Sequence, residues 1–272
     1  MPTSTASCIR VGVGGWTFEP WRGVFYPEGL AQKRELEFAS HKLTAIEING
    51  TYYGSQKPES FAKWRAETPD GFLFTLKGPR FATNRRVLAE AGESIDRFFK
   101  SGVTELGEKL GPVNWQFMAT KKFDADDFEG FLKLLPDKVG GVPIRHAVEV
   151  RHDSFKVPEF VALARKHGVA IVHAGDSEFP AIADPTAPFI YARIMGTSEA
   201  HPAGYAPAAL DGWADYARSW ARGEVPAKIA GDLVDGPPKV GPREVFLFVI
   251  SGFKPRNPAA AMALIERLEK SA

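Results

Sequence analysis

Two short stretches of this 272-residue chain carry charge where a buried strand would carry none: Ala45-Ile46-Glu47-Ile48-Asn49 and Ala147-Val148-Glu149-Val150-Arg151. Side chains alternate along a strand, so Ile46, Ile48, Val148 and Val150 take one face. Glu47, Asn49, Glu149 and Arg151 take the other. In a sheet covered on both sides that second face is buried, and buried charge persists only when it is paired or put to use. Two carboxylates among cations suit acid–base chemistry. One beside arginine stays ionised and can accept a proton, while one in an apolar wall keeps its proton and can donate it. Glu149 is the candidate base, with Arg151 clamping or tuning it, and Glu47 is the second carboxylate.

The elements that must position these groups follow from the same alternation. Segments rich in β-branched and aromatic residues run over Ile9–Gly15, Thr44–Gly50, Phe72–Gly78, Val113–Ala119, Arg145–Arg151, Val169–Ala174, Pro188–Gly196 and Arg243–Ser251. Helical spacing of apolar residues marks Gln32–His41, Pro58–Glu67, Ser94–Leu110, Asp126–Leu135, Val157–His167, Ala208–Arg222 and Pro258–Lys270. Asn257 reads as the N-cap of the last helix and Pro258 as its first residue. Only the connection Gly175–Ala187 is too proline-rich for a helix. Strand and helix in alternation predict an α/β fold of one (β/α)8 TIM-like barrel over residues 1–272, irregular between strands six and seven. A doubly wound sheet competes, but Gly12-Val13-Gly14-Gly15 leads into Trp16 rather than into a phosphate-binding helix turn.

In such a barrel the site lies at the carboxyl ends of the strands. Trp16, Asn49, Tyr52, Tyr53, Lys77, Gln116, His152, His173 and Arg193 are therefore the candidate substrate contacts. Gly196, Ser251 and Gly252 join them as backbone donors in the loops after strands seven and eight, near Lys254 and Arg256, where barrels often hold phosphate. Three cations, Lys77, Arg151 and Arg193, point to a small substrate bearing phosphate or carboxylate. The alternative reading of the set is a salt-bridge network that only holds the barrel top. For His173 it is a satisfied core histidine. The aromatic run Trp16, Phe18, Trp21, Phe25 and Tyr26 reads equally as a loop plug or as a stacking wall.

Composition narrows the class of function. The formal net charge is +1, which argues against nucleic acid or an anionic membrane as partner. The single cysteine, Cys8, excludes an intramolecular disulfide and fits a reducing compartment. Met1–Ser7 is short and polar and no apolar run is long enough to span a membrane, so the expected location is cytoplasmic. The scattered histidines form no metal-binding motif and no cofactor signature appears, although Glu47, Glu149 and Asp176 would suit a hard divalent cation. Arg80, Arg85 and Arg86 form one local basic cluster, read as a solvated loop or a phosphate contact. The stretch Gly231–Pro242 reads as a surface loop.

Blocks in a fixed order along the chain resemble the domain-of-unknown-function 72 family, also called YecE-like. They are Gly14-Gly15-Trp16, Phe25-Tyr26-Pro27, Glu47 to Tyr53, Phe72 to Lys77, Lys109-Leu110-Gly111-Pro112, Val148 to His152 and Tyr191-Ala192-Arg193. The resemblance implies a barrel similar to the (β/α)8 type and carries no established activity. It also implies that Glu47, Asn49, Lys77, Glu149, Arg151, His152 and Arg193 are the family's polar positions. Phe248-Val249-Ile250-Ser251-Gly252 departs from the family pattern after strand eight. The expected function is an enzyme, a hydrolase, lyase or isomerase, acting on a small anionic molecule. A nucleic-acid-processing barrel and a non-catalytic ligand-binding barrel are the alternatives.

Overall fold

A computed structural model describes residues 8–236 and 241–270. Met1–Ser7 and part of the Gly231–Pro242 loop lie outside the described residues. Eight parallel strands close into a barrel in chain order, with the last paired to the first. They are β1 (Ile9–Gly14), β2 (Ala45–Ile48), β3 (Leu73–Lys77), β4 (Leu110–Gln116), β5 (His146–Glu149), β6 (Ala170–Gly175), β7 (Phe189–Ile194) and β8 (Glu244–Val249). Helices occupy the connections except that between β6 and β7, which stays irregular. A small hairpin, Lys138–Val139 with Val142–Pro143, precedes β5. No helix among the described residues is long and apolar enough to cross a membrane.

The alternation sorts the core into two parts. Val11, Ile46, Phe74, Val148, Val150, Ile190 and Val249 face outward into the layer between strands and helices. Ala45, Leu73, Ala147, Ala170, Val172, Phe189, Tyr191, Phe246 and Phe248 fill the barrel interior. Bulky rings on β7 and β8 face alanines on β2, β5 and β6, so the interior is packed rather than open. The floor of any site is therefore solid.

Three local expectations need correction. β4 begins at Leu110, not Val113, because Gly111-Pro112 is absorbed by a bulge rather than ending the strand. Phe74 to Leu76 on β3 spans the same rise as Leu110 to Val113 on β4. A β-carbon on Gly111 would stand 2.9 Å from the Phe74 carbonyl oxygen, so glycine permits the close approach. The helix expected over 94–110 is broken into Gly92–Lys100 and a 3-10 segment, Val103–Lys109. The break falls at Gly102, whose φ of +99° is left-handed and whose Cα lies against Pro58. Asn257 is not a cap; it is the first helical residue and serves the loops described below.

On the outer face of β5, His146 is buried between Trp115, whose indole N–H donates to Nδ1 at 3.1 Å, and the Pro136 carbonyl, 2.9 Å from Nε2. The ring is thus neutral with its proton on Nε2. Burial pushes it down from 6.5 to about 4, against the opposing pull of Pro136 and Asp137. The unfolded chain takes up a proton in that interval and the folded chain does not. Stability is therefore complete above the unfolded value and is lost as pH falls toward the folded one, by roughly 3 kcal/mol. Urea unfolding of His146→Phe is expected to show a lower midpoint at neutral pH but a shallower decline between pH 6.5 and 4. An unchanged slope would refute the assignment.

Candidate functional site

β2 and β5 place Glu47 and Glu149 inward at the top of the barrel, both fully buried. Arg193 comes from β7, with one strand between it and β5 and two between it and β2 around the barrel, and its guanidinium lies between the two carboxylates. Its Nη2 donates to Glu47 Oε1 at 3.0 Å and its Nη1 to Glu149 Oε2 at 2.5 Å. Glu149 Oε1 also accepts from Nε and Nη2 of Arg151, at 2.9 and 2.7 Å, and Oε2 from the Asn114 amide at 3.2 Å. Glu47 Oε2 accepts from the Tyr191 hydroxyl at 2.6 Å, which sits 2.9 Å from Thr75 Oγ1. Lys77, at the end of β3, donates to Gln116 Oε1 on β4, and its ammonium lies 4.3 Å from the centroid of the Tyr52 ring. Among the described residues Lys77 forms no ion pair.

The electrostatics separate these groups by role. Burial would raise the Glu149 carboxyl, but Arg193, Arg151 and Lys77 together hold it at about 2. Burial pushes the Lys77 amine down to about 8, with Glu47 pulling it up and Arg193 pushing it down. Burial opposes the charge on Arg193, yet Glu149 and Glu47 keep its pKa above the usual range. Glu149 is consequently a permanent anion and a weak base. Two guanidinium groups occupy its oxygens, which opposes the role of base expected of it, and the group of the network held near neutrality is Lys77.

The structure brings together Glu47, Glu149, Arg151, Arg193, Lys77, Gln116 and Tyr52. Asn49 and Trp16 stand beside them. Of all these, only Asn49 and Trp16 line a cleft of about 270 Å³, together with Gly14, Phe18, Trp64 and Lys254. Gly14 is in register with Glu47, but none of Glu47, Lys77, Glu149, Arg151 and Arg193 lines this cleft. Trp16 meets Trp64 edge to face at 5.2 Å, whereas Trp21, Phe25 and Tyr26 are buried and plug the first loop. Tyr53 is exposed and contacts Tyr52.

Other expected site residues do not join this group. His173 faces outward, because Val172 and Ala174 on the same strand face inward. Its ring packs 5.4 Å from Trp220 and 6.1 Å from Trp213 behind the sheet. It is a core histidine, as in the alternative reading, but not a fully satisfied one, since its buried Nδ1 has no hydrogen-bond partner among the described residues. His152 uses Nδ1 to accept from the Ser154 amide and so caps the turn Asp153–Phe155. Asp176 accepts from the Trp213 indole at 3.0 Å, and Arg193 separates Glu47 from Glu149. Those three carboxylates do not converge, and no group of three metal-binding side chains occurs among the described residues.

The phosphate cradle expected after β7 and β8 loses one of its donors, Gly196. The Gly196 amide donates to Tyr205 Oη, the Ser198 amide to the Gly204 carbonyl and the Phe253 amide to the Thr197 carbonyl. Ser251 and Gly252 both adopt positive φ and lie against Thr197. Asn257 ties the two loops, accepting from Thr197 Oγ1 at 2.7 Å and donating to the Ser251 carbonyl at 3.2 Å. The Gly196 and Ser198 donors are thus spent within their own loop. In the basic cluster, Arg85 donates to the Phe81 carbonyl and to Ser94, which makes it a loop brace.

Sequence reasoning passed over Tyr191 and Asn114 as site residues. The signal that identifies them is the two-residue period itself: Tyr191 precedes Arg193 by two positions and Asn114 precedes Gln116 by two.

The comparisons with known proteins agree with this architecture. The family model described as "Protein of unknown function DUF72" matches residues 10–272. The UPF0759 protein YecE of Escherichia coli strain K12 is 27% identical over 150 residues, which is 54% of this chain and 50% of that protein. The UPF0759 protein YunF of Bacillus subtilis strain 168 is 26% identical over 158 residues, 56% of this chain and 54% of that protein. The chain spans about half the length of the curated relatives it matches. A crystal structure of a DUF72 family protein from Thermotoga maritima MSB8 has the same fold, with a TM-score of 0.69 at 21% identity over 96% of this chain and 99% of that one.

Proposed function

Since the chain belongs to the DUF72 family, whose name carries no activity, we propose that it is an enzyme performing acid–base chemistry at its barrel mouth on a small substrate bearing phosphate or carboxylate. The charge balance of the buried network carries this reading. Lys77, Arg151 and Arg193 face only Glu47 and Glu149, which leaves one positive charge uncompensated where water is largely excluded. In such surroundings an incoming anion is attracted more strongly than it would be in water.

The roles divide by accessibility. Arg193 is committed to both carboxylates. Arg151 keeps 22% of its side chain exposed, and its Nη1 has no protein partner among the described residues, so it is the arginine that can receive an anion. Its guanidinium also lies over the Phe179 ring at 4.2 Å, which fixes the plane of the fork. Lys77 is the proton carrier, since a pKa of about 8 gives both forms useful populations near neutrality. Glu47 and Glu149 hold the cations in place.

Calorimetric titration with phosphate and sulfate tests the anion site. Arg151→Met is expected to weaken binding by about tenfold or more, roughly 1.4 kcal/mol, with an intact far-UV spectrum. Equal binding in that variant, or an ordered anion at the opposite end of the barrel, overturns the reading.

A further inference from the structure

Building on that acid–base reading, we propose that Lys77 acts as a nucleophile and that the substrate presents an aldehyde or ketone carbonyl, which the amine converts to an imine. Two lysines are buried among the described residues, and their surroundings differ. Lys109 is 4% exposed and its ammonium donates to three oxygens, the Arg65 and Thr68 carbonyls and Thr68 Oγ1. That is full satisfaction of three donors. Lys77 is equally buried, at 6% exposed, but donates to one oxygen, the neutral amide of Gln116, and otherwise faces the Tyr52 ring. The carboxylates that could have claimed it, Glu47 and Glu149, are bound to arginines instead. With one amide oxygen and a ring face as partners, the Lys77 ammonium has fewer oxygen acceptors than that of Lys109, so giving up a proton to free the lone pair forfeits less there. The same desolvation is what lowers its basicity.

The reaction balances with the groups at hand. The Nζ lone pair forms a bond to the carbonyl carbon, and the C=O π electrons move to oxygen. Both amine protons pass to that oxygen, which leaves as water once the nitrogen lone pair closes the C=N bond. The imine then takes one proton and carries the same single positive charge as the ammonium. Glu47 and Glu149 therefore stabilise it as they do the ammonium, and the site keeps its overall charge. Gln116 Oε1 orients the amine by accepting one N–H. Arg151 holds the anionic end of the substrate, so the substrate class is a small carbonyl compound carrying carboxylate or phosphate.

The test is reductive trapping on the full chain. The protein is incubated with sodium cyanoborohydride and either pyruvate, dihydroxyacetone phosphate or uncharged dihydroxyacetone, then examined by intact mass and peptide mapping. The expected result is one adduct, on Lys77, with pyruvate or the phosphate ester, forming faster as pH rises through 8. Lys77→Arg keeps the charge and is expected to lose the adduct. Gln116→Glu places a carboxylate against the amine, holds it protonated and is expected to slow trapping about tenfold for each unit by which it raises the lysine. Labelling confined to exposed lysines, with Lys77 unmodified by all three probes, overturns the inference. If phosphate binding through Arg151 persists in that case, only the imine is lost and the acid–base reading stands. A Lys77 adduct that forms equally well with uncharged dihydroxyacetone supports the imine and overturns the anionic substrate.

Discussion

Replacing Glu149 by Gln is expected to lower folding stability by about 3–5 kcal/mol, because it leaves two guanidinium groups facing a neutral amide inside the barrel. The pH dependence gives the stricter form of this expectation. Burial favours the protonated carboxyl, but Arg193, Arg151 and Lys77 hold it at about 2, below the ordinary 4.5. Between those values the unfolded chain binds a proton that the folded chain refuses. The stabilisation is present above the unfolded value and is lost as pH falls through the folded one, by roughly 3 kcal/mol. Wild-type unfolding should therefore decline in two stages on acidification, first through His146 and then through Glu149. Glu149→Gln should retain the first stage and lose the second. The same variant adds one uncompensated positive charge, so it should bind phosphate no more weakly than wild type if the carboxylate is only a scaffold. Denaturant melts from pH 7 to 3 with parallel anion titrations decide this. A variant as stable as wild type across that range would remove Glu149 from the network.

Replacing Arg193 by Met is the second large effect. Arg193 is the sole bridge between Glu47 and Glu149, and both lie at zero exposure. Its loss leaves two desolvated carboxylates at close quarters, at an expected cost of about 3–5 kcal/mol. Such carboxylates titrate upward, so the folded state then binds protons that the unfolded state does not. Both proteins lose stability through His146 as pH falls from 7 toward 5, so the variant should lose less than wild type over that interval, and the gap between them should narrow. Adding Glu47→Gln to Arg193→Met should recover part of the loss, because one buried charge disappears. Urea midpoints at pH 7 and pH 5 for the single and double variants measure it. A single variant that weakens on acidification as steeply as wild type would show that Arg193 does not compensate these carboxylates.

The fold and the site were legible in the sequence to different depths. Alternation alone assigned Val148 and Val150 to the helix side and Glu149 to the interior, because a strand offers no third direction. The same rule, applied strictly, sends His173 outward beside inward Val172 and Ala174, and it selects Tyr191 and Asn114 from their positions two residues before Arg193 and Gln116. The barrel and the inward placement of Glu47, Lys77, Gln116, Glu149 and Arg193 were therefore determined by sequence periodicity and residue type. What the sequence could not decide was partnership. Arg193 lies 146 positions from Glu47 and 44 from Glu149 in the chain, and only barrel closure brings its two nitrogens onto both. That closure turned Glu149 from an expected base into a fixed anion and left Lys77 as the group near neutrality. It also spent the backbone donors of Gly196 and Ser198 inside their own loop. Local pattern chooses which face a side chain takes; which charge it meets there depends on long-range distances, and pKa follows the distances.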